Sequence, residues 1–139
     1  MILQKIDFLI IMKEIKIKKG KFNPFSHQFT GKIYTALVDD EDFDYLNQFK
    51  WLAHTSPETT VVYAYRTIRL KNGSYTNLRM HIEIMQIHGF QTNGFVIHHK
   101  DENGLNNTKE NLEITDHSTN RKNRTQRRLL AGRYWPVSK

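Results

Sequence analysis

Two adjacent histidines at the end of an apolar run constrain this chain more than any other feature. His98 and His99 follow residues 95–97, Phe-Val-Ile, a run that is typical of a buried strand. Successive strand residues point to opposite faces, so both imidazoles can approach one site only where the backbone turns at the strand end. Residues 101–107 are rich in Asp, Asn and Gly, which favours a turn there. The pair therefore predicts a polar site at the end of a strand.

A second strand and a helix are predicted after this loop. Residues 111–115 alternate as a short strand, and Asp116 or Ser118 can cap a helix that begins beside them. Asn120 falls in the first turn of that helix. Its amide oxygen could reach a cation held by His98. The predicted order is therefore strand, loop, strand and helix.

This stretch resembles the HNH, or ββα-metal, nuclease motif in the form carried by phage and intron-encoded homing endonucleases. The matching residues are His98, His99, Asn106, Asn107, Asn111, Leu112 and Asn120. Asn120 follows His99 at a spacing that such enzymes use. Two positions differ from many relatives, which carry Asp in place of His98 and His in place of Asn120. Several separated positions agree at once, which makes the resemblance more specific than a His-His pair alone.

The resemblance implies a metal-dependent DNA endonuclease with a role for each residue. His99 is expected to be the general base, and His98 and Asn120 to hold one divalent metal ion: Mg, Mn, Ni or Zn. Asn111 is expected to brace the loop so that the His99 ring is aimed correctly, and it is counted with His99 as catalytic. Since imidazole is a softer ligand than carboxylate, Mn, Ni or Zn should suit the site relatively better than Mg. Supporting roles fall to His81 and Asn107.

The charge of the chain favours a polyanionic partner. The formal net charge is +7, and residues 117–139 contain seven Lys or Arg and no acid. We expect the partner to be double-stranded DNA, bound by a monomer or a homodimer. The candidate phosphate contacts are Arg66, Arg121, Arg124, Arg127 and Arg128. Arg66 and Arg69 are expected to share one face of a strand.

Two features missing from the sequence bear on location and covalent chemistry: cysteine residues and an apolar run long enough to cross a bilayer. The chain has no cysteine, which excludes disulfides and cysteine-based zinc ribbons and allows a reducing cytoplasm. We expect a cytoplasmic location in a bacterial or phage-infected cell. The apolar run at residues 8–12 is too short to cross a bilayer, so no membrane association is expected. Met12 is an alternative start.

The expected fold is mixed α+β. Residues 1–77 are expected to form an antiparallel β-rich portion, residues 78–128 the nuclease unit and residues 129–139 a basic, aromatic tail. Strands are predicted around Ile15 and Ile17 and at residues 34–38, 50–53 and 61–70, with a hairpin turn at Asn72-Gly73. Helices are predicted after Asp39 and over residues 78–88, the second with Leu78, Ile82 and Met85 inward. Residues 22–32 are predicted to be a loop.

Simpler structural interpretations remain open for several of these residues. The two histidines could simply satisfy a polar loop, and His81 could be an ordinary core histidine. Trp51, Tyr63 and Tyr65 could stack on bases, although core packing is the safer interpretation. The acidic run at residues 39–42 is better explained by a helix N-terminus than by a metal site. The alternative function is a non-catalytic DNA-binding protein that retains the ββα shape.

Overall fold

A computed structural model describes residues 11–23, 28–55 and 61–118, and these form a mixed α+β fold. The elements are β1 (Met12–Asn23), β2 (Gln28–Asp39), α1 (Asp40–Asn47), β3 (Leu52–Thr55), β4 (Val62–Arg69), β5 (Tyr75–Arg79), α2 (Met80–Ile87), β6 (Val96–His99), a 3-10 turn (Lys109–Asn111) and β7 (Leu112–Thr115). A five-stranded sheet has the order β2-β1-β3-β4-β5, and a separate two-stranded sheet pairs β6 with β7.

The long hairpin of β1 and β2 overturns one prediction. Ile15, Ile17 and Val38 are buried on one face of this hairpin, as the alternation of apolar residues predicts. The pairing continues well past them, through Phe22 opposite Phe29. The loop predicted over residues 22–32 is therefore largely strand. Backbone hydrogen bonds extend the pairing here, although the local composition favours a loop.

The second hairpin joins β4 to β5 at the predicted turn, where Gly73 has a φ of 88°. Helix α2 begins later than predicted, at Met80. Residue 78 was expected to open the helix. Leu78 and Arg79 instead pair with β4, because their backbone groups complete the ladder opposite Arg66 and Tyr65.

The core lies between one face of the large sheet and the two helices. Ile17, Val38, Leu46, Met80 and Ile84 are fully buried within it. Trp51 is also in the core and donates a 2.8 Å hydrogen bond from Nε1 to the Leu46 carbonyl. Met85 is buried as predicted, whereas Ile82 is only half-buried. Burial of the tryptophan confirms core packing for this aromatic residue.

The small sheet is joined to the large one through the loop between β6 and β7. The Leu37 amide donates to the Leu105 carbonyl at 2.8 Å, and the Asn107 amide donates to the Leu37 carbonyl at 2.8 Å. The Lys109 amide donates to the Asp39 carboxylate at 2.9 Å. The described chain ends on the helical residues His117 and Ser118. The predicted strand, loop and strand are thus present and anchored to β2.

Candidate active site around His99

His99 ends strand β6 and is held by a buried amide. Its side chain points inward and leaves the residue 5% exposed, while Asn107 is fully buried. Nε2 of His99 lies 2.8 Å from Oδ1 of Asn107. Because an amide oxygen can only accept, Nε2 must carry the hydrogen, and Nδ1 holds the lone pair in the neutral ring. The Asn107 amide nitrogen points to Sδ of Met80 at 3.2 Å, which orients the oxygen toward the imidazole.

Three aromatic rings pack together at this point, those of Tyr63, His81 and His99. The His81 and His99 ring centroids lie 4.7 Å apart in an edge-to-face arrangement. The Tyr63 ring lies 5.6 Å from His81 and 5.7 Å from His99. Nδ1 of His81 is buried and makes no hydrogen bond within the described part of the chain. Helix α2 and strand β4 therefore both support the base candidate.

Burial sets the protonation state of both histidines. Burial lowers the pKa of His81 well below its ordinary value, and the nearby His99 and Arg79 add to that effect. Burial also lowers the pKa of His99, against the opposing effects of the Asn107 hydrogen bond and the Asp101 charge. Both rings are therefore neutral at neutral pH.

A polar brace ties the two ends of the loop together. The Asn111 side-chain amide donates to Oδ1 of Asp101 and to the Asn106 carbonyl, each at 2.8 Å. In return, the Asp101 backbone amide donates to Oδ1 of Asn111 at 3.0 Å. Burial alone would raise the pKa of Asp101, but hydrogen bonds from Asn106, Asn103 and Asn111 outweigh it and lower that pKa. The catalytic role of Asn111 stays a prediction; its contacts are those that a bracing residue would make.

The side chain of His98 projects from the face of β6 opposite to that of His99. It is paired with Glu113 across the hairpin, and its Nδ1 lies 3.6 Å from Oε2 of that carboxylate. Imidazole and carboxylate groups are both ligands that divalent metals accept, so the donors here are compatible with the metal that the resemblance implies. The other predicted ligand, Asn120, lies outside the described residues. So do the candidate DNA contacts Arg121, Arg124, Arg127 and Arg128.

Arg66 is placed in the interior rather than beside His99. Its Nε and Nη2 donate to the two carboxylate oxygens of Glu83 at 2.9 and 2.6 Å, and its guanidinium lies 3.8 Å from the centroid of the Phe49 ring. The side chain is only 18% exposed. The expectation that Arg66 and Arg69 share a face is wrong, since residues three apart on the regular strand β4 point to opposite sides. The DNA contact predicted for Arg66 stays untested.

A second polar cluster connects helices α1 and α2. Ligand atoms of Glu41, Asp42 and His88 all lie within 4.8 Å of one another. The His88 Nε2 to Asp42 Oδ1 distance is 2.7 Å, that of a direct hydrogen bond, which explains this contact without a cation. The acids occupy the first turn of α1, as predicted, and His88 caps the end of α2. The contact between the two helices was not predicted.

Tyr63 is the site residue that sequence reasoning placed elsewhere, as core or stacking surface. The available signal was the alternation of β4, which puts Tyr63 and Tyr65 on one face.

No match to this chain was found among protein-family models, curated proteins or solved structures. Within the described residues, no helix has both the length and the apolar character needed to cross a membrane.

Proposed function

We propose that this protein is a metal-dependent endonuclease that hydrolyses phosphodiester bonds in double-stranded DNA. The observation that carries the proposal is the orientation of His99 by Asn107, next to a loop braced by Asn111. A neutral imidazole with one nitrogen engaged and a lone pair on the other is suited to act as a general base near neutral pH. His99, Asn107 and Asn111 are among the residues on which the resemblance to the HNH motif rests.

Hydrolysis needs a deprotonated water, neutralised phosphate charge and a stabilised leaving oxygen. In the proposed reaction, Nδ1 of His99 accepts the proton from the attacking water. The lowered pKa of His99 keeps the base unprotonated at neutral pH. Asn107 remains a hydrogen-bond acceptor after the proton transfer, because Nε2 carries a hydrogen in both states. The ring can therefore gain a proton without turning, and Asn111 acts as a positioning residue for the loop.

The metal is the second element of the proposal, and it is assigned to His98, which projects from the other face of β6 than His99. His98 and Asn120 would hold one divalent ion, with the imidazole favouring Mn, Ni or Zn relative to Mg. Such an ion, when bound, supplies positive charge against the phosphate and the leaving oxygen. This division of labour leaves proton transfer to His99.

The DNA-binding part of the proposal rests on charge. The seven basic residues between positions 117 and 139 follow β7 in the sequence. Lys and Arg side chains bind phosphates with little dependence on base sequence, because they respond to backbone charge. Arg121, Arg124, Arg127 and Arg128 are the proposed contacts.

One observation favours a second candidate, a DNA-binding protein without catalysis. His99 is 5% exposed and packs against Tyr63 and His81. A general base must reach the water that it deprotonates, whereas a structural histidine needs only satisfied contacts. This candidate retains the duplex binding and omits cleavage.

Nicking of a supercoiled plasmid separates the two candidates. The wild-type protein should convert the plasmid to open circles with Mg²⁺ or Mn²⁺ and should leave it intact in EDTA. His99→Ala and Asn120→Ala should each abolish nicking, and His99→Ala should retain binding of both Mn²⁺ and DNA. Gln86→Ala, on an exposed position of α2, is the matched control and should cleave normally. Nicking by His99→Ala at neutral pH would reject the base assignment, and a wild-type protein that binds but never cleaves would favour the second candidate.

A further inference from the structure

A half-open cleft of about 250 Å³ lies on the large sheet, next to the candidate active site. Three neighbouring strands contribute its lining residues, which are His54 from β3, Tyr63 and Tyr65 from β4, and Asn77 and Arg79 from β5. Among these lining residues, all of them in the described part of the chain, none is acidic.

Strand register explains why these side chains meet. His54 is paired with Tyr63, and Tyr65 is paired with Arg79. Directly opposed residues of an antiparallel pair share a face, so the strand alternation collects them on one side of the sheet. Ala64, between the two tyrosines, is fully buried on the other side. The cleft is therefore built from regular strands, which hold side chains more rigidly than a loop does.

The chemistry of the cleft combines aromatic rings with positive charge. The Arg79 guanidinium lies 5.2 Å from the centroid of the Tyr63 ring. The His54 ring meets Tyr65 edge to face at 6.2 Å. Aromatic side chains beside a cation are the combination by which proteins bind single-stranded nucleic acid, with bases on the rings and phosphates on the cation. The positive net charge of the chain favours the same kind of ligand.

Tyr63 connects the cleft to the candidate base. Its ring lines the cleft and lies 5.7 Å from the ring of His99. Gly104 of the site loop approaches it so closely that an added Cβ would lie 2.8 Å from Cδ1 of Tyr63. A group bound in the cleft would therefore be separated from His99 by a single aromatic ring.

We propose that this cleft binds one unpaired nucleobase of a single-stranded or locally opened nucleic acid. Tyr65 stacks on the base, and Arg79 contacts the adjoining phosphate. The cleft volume lies somewhat below the ~300–1,000 Å³ of ordinary small-ligand sites, which fits one ring system rather than an extended ligand. The placement of that base beside the cleaved bond rests on the proposed function; binding of the base does not.

Equilibrium binding in EDTA tests the cleft without any cleavage. The probe is a short fluorescein-labelled single-stranded oligonucleotide, compared with the same strand annealed to its complement. Tyr65→Leu and Arg79→Gln should each weaken binding of the single strand by about tenfold, in the range of a lost base-stacking contact. Both should weaken binding of the fully paired duplex much less. Tyr65→Phe, which retains the ring, should bind like wild type.

The chain provides matched controls on the same sheet face. Tyr75→Leu removes a 70% exposed tyrosine of β5, and Arg69→Gln removes one positive charge from β4; neither residue lines the cleft. Equal losses for the cleft and control variants would overturn the proposal, as would equal losses for single-stranded and duplex probes. If the wild-type protein nicks plasmid and the Tyr65→Leu variant binds the single strand as tightly as wild type, the cleft proposal is overturned and the nuclease proposal is not. One that binds through Tyr65 and Arg79 but never nicks would support the cleft and overturn the nuclease.

Discussion

The ring centroids of the buried residues His81 and His99 lie 4.7 Å apart. Each ring therefore packs against another ring that can acquire a positive charge. Burial disfavours the imidazolium in both cases, and a charge on His99 would further disfavour one on His81. Protonation of this pair therefore opposes folding.

Acid should destabilise the protein through this pair. Histidine in the unfolded chain titrates near pH 6.5, whereas both folded pKa values lie lower. Between about pH 6.5 and the folded pKa values, the unfolded state consequently binds more protons than the folded state. The free energy of unfolding should therefore decrease as the pH is lowered through this range. Each proton involved contributes a slope of at most about 1.4 kcal/mol per pH unit. Urea unfolding at a series of pH values measures that slope.

His81→Phe should flatten this pH dependence, because phenylalanine fills a similar space and does not titrate. The comparison variant is His54→Gln, which changes an exposed histidine that is not a member of the pair and should retain the wild-type slope. Identical slopes in wild type and His81→Phe would mean that other groups cause the acid sensitivity.

A change at Asn107 should move the pH dependence of cleavage. Asn107→Asp places a carboxylate against Nε2 of His99, which favours the imidazolium and raises the pKa of His99. Since the proposed base must be neutral, the acid limb of the pH–rate profile should move upward by roughly one pH unit or more. The rate at high pH should change less. Single-turnover nicking rates across the pH range provide the measurement.

Asn103→Asp is the matched control for this variant. It adds the same charge to the same loop, and its side chain can still accept the hydrogen bond from the Leu105 amide. Its pH–rate profile should resemble that of wild type. If both variants shift equally, the effect is one of general charge rather than of contact with His99.

Local pattern predicted most of the strands but not where they end. Alternation around Ile15 and Ile17 was sufficient, because a strand with one buried face must place apolar residues at every second position. The extension of β1 and β2 into residues 22–32 was missed, since backbone pairing depends on a partner strand that local composition does not reveal. The late start of α2 has the same cause: Leu78 and Arg79 complete a ladder with β4.

Motif spacing identified the residues around His99 but not their tertiary partners. His99 and Asn107 lie within one short stretch, so a motif can specify both. Tyr63 contacts His99, and Glu83 neutralises Arg66, only after distant segments pack together. An arginine beside alternating apolar residues looks the same in sequence whether it faces DNA or a buried carboxylate. Partners of this kind depend on the packing of α2 against the sheet.

Gly104 should not tolerate a side chain. An added Cβ would lie 2.4 Å from the carbonyl oxygen of Val62 and 2.8 Å from Cδ1 of Tyr63. Backbone atoms of β4 cannot move aside easily, so Gly104→Ala should lower the free energy of unfolding by about 1–3 kcal/mol. It should also displace the Tyr63 ring, and denaturant unfolding with NMR of the aromatic signals measures both effects.

Gly94→Ala separates crowding from backbone strain. No atom lies within 4 Å of a Cβ at that position, but its φ is +81°, so alanine should cost about 1 kcal/mol through conformation alone. That variant should leave the Tyr63 signals in place. Wild-type stability for Gly104→Ala would contradict the close approach of the loop to β4.

Arg66 should matter for stability through Glu83. Removing the guanidinium leaves a carboxylate whose side chain is 5% exposed without its two-point partner. Arg66→Met should therefore reduce the free energy of unfolding by about 3–5 kcal/mol, and Arg66→Met with Glu83→Leu should recover part of that loss. Arg69→Met, on the other face of the same strand, should change stability by less than about 0.5 kcal/mol. Additive losses in the double variant would exclude coupling between the two charges.

The basic residues after position 117 should control the salt dependence of DNA binding. Each phosphate contact releases condensed counterions, so the slope of log K against log salt concentration changes by about 0.9 per contact on duplex DNA. Replacing Arg124, Arg127 and Arg128 with Gln should weaken binding and flatten this slope by roughly two to three units. Lys71→Gln, at the exposed turn between β4 and β5, removes one charge outside that segment of the sequence and should leave the slope nearly unchanged. Anisotropy titrations over a range of salt concentrations measure the slopes, and an unchanged slope in the triple variant would show that these arginines do not contact the DNA backbone.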